Sequence, residues 1–358
     1  MPAVLSDPSF EVAAAAAADL AACREQLRHG SRTFLAASLL LPRAVREPAC
    51  ALYAFCRMAD DAVDLAAAGE GPGAVTRLRE RLARVYRGDP MPLAADRALA
   101  EVVARFGIPQ ALPEALIEGF EWDAAGRRYD RIDELEAYAA RVAGTVGAMM
   151  ALLMGVRTPE GLARACDLGV AMQLSNIARD VGEDARAGRL YLPRDWLREA
   201  GLDPDVWLAR PEANAALATV LKRLLRHADA LYARAGQGVA RLPLACRPSI
   251  NAARFMYAAI GHEVERRGCD SVSQRAVVPG RRKAGLLLRA VFTVAPAAAP
   301  RPEPPLAATR FLVDAALATS PAPRPARGAY QRALWVLDLF ERLERRERLN
   351  LQPPAGWR

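Results

Sequence analysis

Gln173-Leu174-Ser175-Asn176-Ile177-Ala178-Arg179-Asp180-Val181-Gly182-Glu183-Asp184 is the stretch on which the fold turns. Gln173, Asn176, Asp180 and Asp184 recur at spacings of three and four, which an α-helix brings onto one face. Upstream, the same face continues through Gly169, Cys166 and Leu162. One helix over 159–186 therefore carries a stripe that is small and apolar at one end and acidic and amide-bearing at the other. Thr158-Pro159-Glu160 supplies its N-cap, first-turn proline and first-turn acid, and Gly188 lies where it should stop. Such a stripe suits the wall of a cavity with an apolar barrel and a polar mouth.

A second acidic run, Asp60-Asp61-Ala62-Val63-Asp64, falls in a helical pattern over 45–67 whose entry is bracketed by Pro42 and Pro48. Residues four apart on a helix are offset by only about 40°, so Asp60 and Asp64 share a face, which runs back through Arg57 and Tyr53. A lone D-x-x-x-D is ordinarily a solvated face. Two such pairs, each in an otherwise apolar helix and each beside arginines or amides, point to chemistry, because burying unpaired carboxylates is costly. When a diphosphate leaves an allylic carbon, negative charge grows on the leaving group. Mg²⁺ stabilises that charge and prefers carboxylate and phosphate oxygens. Arginines clamp the remaining phosphate oxygens in pairs. The carbocation left behind requires a dry, apolar cavity.

Elsewhere the 3.6-residue period dominates and no convincing alternating strand occurs. Helices are expected near 11–29, 73–87, 92–106, 112–124, 131–155, 212–238, 246–268 and 328–349, so the fold class is all-α. The longest apolar stretch, Val142 to Val156, is short of the roughly 20 residues that span a bilayer, and Gly144, Gly147 and Gly155 mark it as a tightly packed core helix. Segment 296–325 is rich in Pro and Ala and reads as a loop with a short helix near 306–318. The organisation expected is a catalytic domain over 1–295, with 296–358 as an appendage packed on it.

Of 358 residues, 52% are hydrophobic, ample for a large core, and net charge is +8, carried almost wholly by arginine. That charge suits phosphorylated substrates, anionic lipid or nucleic acid without choosing among them. Basic residues are interleaved with acids and no helix-turn-helix or zinc pattern occurs, which argues against nucleic acid. Six cysteines with no C-x-x-C pair read as reduced thiols in a cytoplasmic protein, and three scattered histidines lack zinc spacing. Trp122 and the methionines Met149, Met150 and Met154 read as core packing, and Asp123 is left unassigned.

At these residues the chain resembles the squalene/phytoene synthase family, whose two aspartate-rich motifs look like Asp60 to Asp64 and Asp180 to Asp184. Leu168-Gly169 through Arg189-Leu190-Tyr191-Leu192-Pro193 is similar to one family signature, and Tyr138-Ala139-Ala140-Arg141-Val142-Ala143-Gly144-Thr145-Val146-Gly147 to another. Ser31-Arg32-Thr33-Phe34 resembles the N-terminal substrate segment, with Thr33 where Ser is usual. Asp270-Ser271-Val272-Ser273-Gln274-Arg275 is closest to the bacterial phytoene-forming branch.

The resemblance implies a single helical bundle around a central cavity, of the isoprenoid synthase kind. It also implies head-to-head condensation of two geranylgeranyl diphosphates. Asp60, Asp64, Asp180 and Asp184, with Asn176, would hold Mg²⁺, or Mn²⁺ in its place. Arg57, Arg179, Arg189 and Arg275 would grip diphosphate. Ser31, Thr33, Phe34, Tyr53, Tyr138, Val142, Gly147, Gln173, Tyr191 and Tyr257 would line the site. No NADPH is expected. Other enzymes of carotenoid formation are candidate partners. The competing readings are a squalene or dehydrosqualene synthase using farnesyl diphosphate, a terpene cyclase, and a non-enzymatic helical scaffold. The amphipathic pattern from Tyr330 to Arg342, running on into an Arg-rich end, either docks on the bundle or meets a membrane surface at the inner face.

Overall fold

Leucine, valine and alanine spaced by three and four are realised as helix along almost the whole chain. The computed structural model describes residues 8–30, 32–64, 71–293 and 303–318. Residues Met1–Pro321 group into one compact unit; a second, Ala322–Arg358, lies wholly outside the described residues, and with it the helix expected at 328–349.

The helices are α1 (Pro8–Gly30), α2 (Arg32–Ser38), α3 (Arg43–Asp64), α4 (Gly71–Arg87), α5 (Ala94–Phe106), α6 (Ala111–Ala124), α7 (Ile132–Ala139), α8 (Thr145–Leu153), α9 (Pro159–Arg186), α10 (Arg194–Glu199), α11 (Pro204–Ala209), α12 (Ala215–Gly238), α13 (Arg247–Arg266), α14 (Gly280–Phe292) and α15 (Arg310–Leu317). No strand occurs among the described residues. The short helices α2, α10 and α11, and α14, were not anticipated: three are too short for a period to register, and α14 has only one buried residue, Ala290. Pro48 lies inside α3 rather than at its entry.

Helix α9 is the axis of the bundle, packing along α8, α12 and α13. It begins where its cap requires, with the Thr158 hydroxyl accepting from the Gly161 N–H at 3.2 Å, and ends two residues before Gly188, which takes φ +75°. The approach of α8 to α9 is set by two glycines. A Cβ on Gly147 would stand 2.1 Å from the Ala165 carbonyl oxygen, and one on Gly169 would stand 2.2 Å from that of Ala143. Only hydrogen fits at either contact.

The helix expected over 131–155 is not continuous. A π-helical turn, Ala140–Gly144, separates α7 from α8. There the Thr145 N–H reaches back five residues to the Ala140 carbonyl, and the Thr145 hydroxyl donates to the Arg141 carbonyl at 2.6 Å. The extra residue in the turn rotates α8 relative to α7, so both Tyr138 and Gly147 reach the same cavity. Such single π turns are frequent at functional sites.

The short helix expected near 306–318 is α15, which packs on α6, α8 and α9. Just before it, the Glu303 and Pro304 carbonyls accept from buried Arg164 at 3.2 and 3.1 Å. Arg234 ties the same strip down through the Glu303 carboxylate at 2.5 Å and the Pro304 carbonyl at 2.8 Å. Asp167, fully buried, lies 3.1 Å from both guanidinium groups. A charge sealed from water is held only when so paired.

Candidate active site

Between α3, α6, α8, α9 and α13 lies a cavity of about 650 Å³. Its barrel is apolar, with Leu52, Phe120, Val146, Leu168, Met172 and Ile260 on the wall. Met150 and Met154 also face it, so these two are more than packing; Met149 is sealed in the core. At one end stand Tyr53, Arg57, Asp60, Asp123, Tyr138, Gln173, Asn176, Arg179, Tyr257 and Arg275. At the other end Arg164, Gly238, Val239 and Leu242 close the floor. Of the stripe expected on α9, Gly169, Gln173 and Asn176 line the cavity, whereas Leu162 and Cys166 are sealed in the core and Asp180 and Asp184 lie off the lining; Ala165, Leu168 and Met172 supply the apolar wall in their place.

The two aspartate motifs come to the polar end from α3 and α9, each engaged with arginine. Arg57 reaches Asp60 at 3.4 Å and Asp61 at 2.6 Å. Arg189 donates to Asp64 at 2.7 Å. Asp180 accepts from Arg179 at 2.7 Å and pairs with Arg275 at 2.9 Å. The four arginines expected to hold phosphate therefore sit on the carboxylates expected to hold metal. Each arginine is a charged fork that can pass from carboxylate to phosphate, since both present the same pair of oxygens.

The acids also act on one another. Burial pushes the Asp60 carboxyl up to about 6, and Asp64 adds to it. Burial and then Asp180 push Asp184 up to about 7. Asp123 contributes repulsion to both. Carboxylates gathered in this way invite a cation.

Asp123 is the functional residue that sequence reasoning left unassigned. It accepts from the Tyr138 hydroxyl at 2.8 Å and the Tyr191 hydroxyl at 2.7 Å. Burial raises its carboxyl to about 6, while the two tyrosine hydrogen bonds oppose the rise. The Tyr138 and Tyr191 rings stack at 5.1 Å between centroids, with Tyr129 5.4 Å from Tyr138. The only signal in the sequence was an acid ending an apolar helix, which spacing does not single out. Its neighbour Trp122 is partly buried against the core and flanked by the Arg127 and Arg141 guanidinium groups at 3.8 and 4.2 Å from the ring centroid.

A divalent cation fits this donor set. The Asn176 amide oxygen is buried with no hydrogen-bond partner at the polar end of the cavity, and the surrounding donors are hard oxygens. Among the described residues, no three acidic, thiol or imidazole side chains converge tightly enough to chelate an ion alone. That suits an ion that arrives with phosphate oxygens among its ligands.

The family model for squalene/phytoene synthase matches residues 27–282. The chain belongs to that family. Phytoene synthase of Cereibacter sphaeroides is 52% identical over 355 residues, covering 94% of this chain and 98% of that one. Phytoene synthase of Rhodobacter capsulatus is 51% identical, covering 84% and 91%. Among solved structures, a dehydrosqualene synthase in complex with ligand superposes with a TM-score of 0.70 at 29% identity, covering 79% of this chain and 98% of that one. The all-α fold is thus that of the isoprenoid synthases of this family.

Of the family positions expected to line the site, Tyr53, Arg57, Tyr138, Val142, Gly147, Gln173, Asn176, Arg179, Tyr257 and Arg275 face the cavity. Asp64, Asp180, Asp184, Arg189 and Tyr191 are not on its lining: Tyr191 is joined to it through Asp123 and Asp180 through Arg179 and Arg275, Asp64 and Arg189 pair with each other, and Asp184 is coupled to Asp180 and Asp123 by charge. Ser31 lies outside the described residues, and Thr33 and Phe34 lie on α2 with side chains outside them. All six cysteines are free thiols, and burial pushes Cys56, on the cavity wall, up to about 12. No helix among the described residues is long and apolar enough to cross a membrane.

Proposed function

We propose that this chain joins two molecules of geranylgeranyl diphosphate head to head, through prephytoene diphosphate, to give phytoene, the first step of carotenoid formation. The observation that carries the reading is a cavity that runs from paired aspartates and arginines along a mainly apolar barrel, in a family whose relatives at 52 and 51% identity are phytoene synthases. On α9, Arg164 at the floor precedes Asn176 at the mouth by twelve residues, a depth of about 18 Å at 1.5 Å per residue. That depth suits an extended prenyl tail of several isoprene units.

Asp60, Asp64, Asp180 and Asp184, with the Asn176 amide oxygen, would hold Mg²⁺, with Mn²⁺ as the alternative ion. The bound ion supplies charge neutralisation of the departing diphosphate. The chain's own residues do the rest. Arg57, Arg179, Arg189 and Arg275 leave their carboxylates for phosphate oxygens as substrate enters. The Tyr138 hydroxyl donates to Asp123, so its ring and remaining lone pair are what it offers to the cavity, and both favour a cation. The apolar wall excludes water that would quench an allylic cation. Proton loss ends the sequence without reduction, so no NADPH is consumed.

Purified protein incubated with geranylgeranyl diphosphate and Mg²⁺ alone is expected to form phytoene. A strict NADPH requirement, or preference for farnesyl diphosphate, would move the assignment to a squalene or dehydrosqualene synthase. On this reading the protein works in the cytoplasm, in peripheral contact with the inner face of the membrane that receives the product.

A further inference from the structure

Helix α14, Gly-Arg-Arg-Lys-Ala-Gly-Leu-Leu-Leu-Arg-Ala-Val-Phe over Gly280–Phe292, is apolar on two opposite faces. The inner face is accounted for: Leu286, Leu287 and Ala290 pack with Ala37, Ala252 and Met256 of α2 and α13. The outer face is not. Ala284, Gly285, Leu288 and Phe292 follow one another at helical spacing and are all exposed. Leu288 is 58% exposed and Phe292 75%. Large side chains aligned in this way on a surface helix mark a contact.

Charge says which kind. Arg281, Arg282, Lys283 and Arg289 lie on this helix, and no acid does. Arg281 continues the exposed stripe, and Arg289, its guanidinium 4.4 Å from the Phe255 ring centroid, flanks it. Arg282 is already shared with Glu263 at 3.5 Å. A second copy docked face to face would bring two basic helices together. The Arg-rich 324–348 segment of the same chain is itself net basic. An anionic lipid surface satisfies both the apolar stripe and the charge.

The position fits the chemistry, on the reading that the product is a hydrocarbon. Leu286 on the inner face packs against the cluster of Ala259, Ile260 and Val278, as does Tyr257, and Ile260 and Tyr257 line the cavity. Helix α13 is thus the wall between cavity and α14. We propose that the outer face of α14 docks on an anionic lipid surface, with Leu288 and Phe292 entering the acyl boundary and Arg281 and Arg289 meeting head groups.

The test is flotation of the full chain with phosphatidylcholine vesicles, with and without phosphatidylglycerol, at low and high salt. Binding is expected only to the anionic vesicles and is expected to weaken with salt. The double variant Leu288→Ser/Phe292→Ser and the double variant Arg281→Glu/Arg289→Glu should each lower the bound fraction about tenfold. Both should keep wild-type circular dichroism, and wild-type turnover on detergent-dispersed substrate. Phe292→Trp should gain fluorescence quenching by brominated lipid. Wild-type protein that stays unbound, or variants that bind as well as wild type, would overturn the proposal. A concentration-dependent dimer lost in Leu288→Ser/Phe292→Ser, without vesicle binding, would assign the face to a second copy instead. Lipid binding without any phytoene formed would leave this surface standing and remove the functional reading alone.

Discussion

Asp184→Asn should make the cation-free protein more stable while destroying its activity. The Asp184 carboxyl is pushed from its ordinary 3.8 to about 7, by burial first, then by Asp180, with Glu183 and Asp123 adding and Arg189 opposing. A carboxyl whose folded value exceeds its unfolded one holds its proton more tightly in the native state. Stability therefore falls as pH rises from about 4 to about 7 and stays reduced above that range. A displacement of about three pH units corresponds to about 4 kcal/mol. Asp184 is half-buried rather than sealed, and water screening reduces the expected effect to ~1–2 kcal/mol. The amide keeps the shape and drops the charge. In EDTA at about pH 8, the variant should resist urea better than wild type by that amount, and the two should converge near pH 4. Mg²⁺ should raise wild-type stability and close the gap. Turnover should fall by orders of magnitude, as it should in Asp60→Asn, Asp64→Asn and Asp180→Asn. Urea unfolding followed by circular dichroism, at both pH values with and without Mg²⁺, decides it. A variant no more stable than wild type at about pH 8 would refute the argument that these acids strain the folded chain until a cation arrives.

Val239→Trp at the cavity floor should shorten the barrel: kcat/KM for geranylgeranyl relative to farnesyl diphosphate should fall about tenfold or more, and an unchanged ratio would mean the tail does not reach that far. Gly147→Ala forces a Cβ to 2.1 Å from the Ala165 carbonyl oxygen, so it should cost about 3 kcal/mol of stability, read as a lower Tm; a neutral result would mean α8 and α9 part without penalty.

By itself the sequence determined the helical class and the two ends of α9, because 3.6-residue spacing and end caps are local properties. It also determined that two acidic faces exist, since Asp60 and Asp64, or Asp180 and Asp184, share a face on any helix. The family signatures carried the assignment of Arg57, Asn176 and Tyr257 to one site. Only the tertiary structure decided what faces what. The pairing of Arg189 with Asp64, 125 residues away, leaves no trace in local spacing. Asp123 became legible only when α6 met Tyr138 and Tyr191, because a lone acid at a helix end carries no period. The π turn at Ala140–Gly144 was hidden as well; it lies where Ala143 meets Gly169 and α8 meets α9 through Gly147. The floor of the cavity, too, depends on Glu303 and Pro304 meeting Arg164 and Arg234 across some 70 to 140 residues, a contact that buried charge requires and that no pattern along the chain announces.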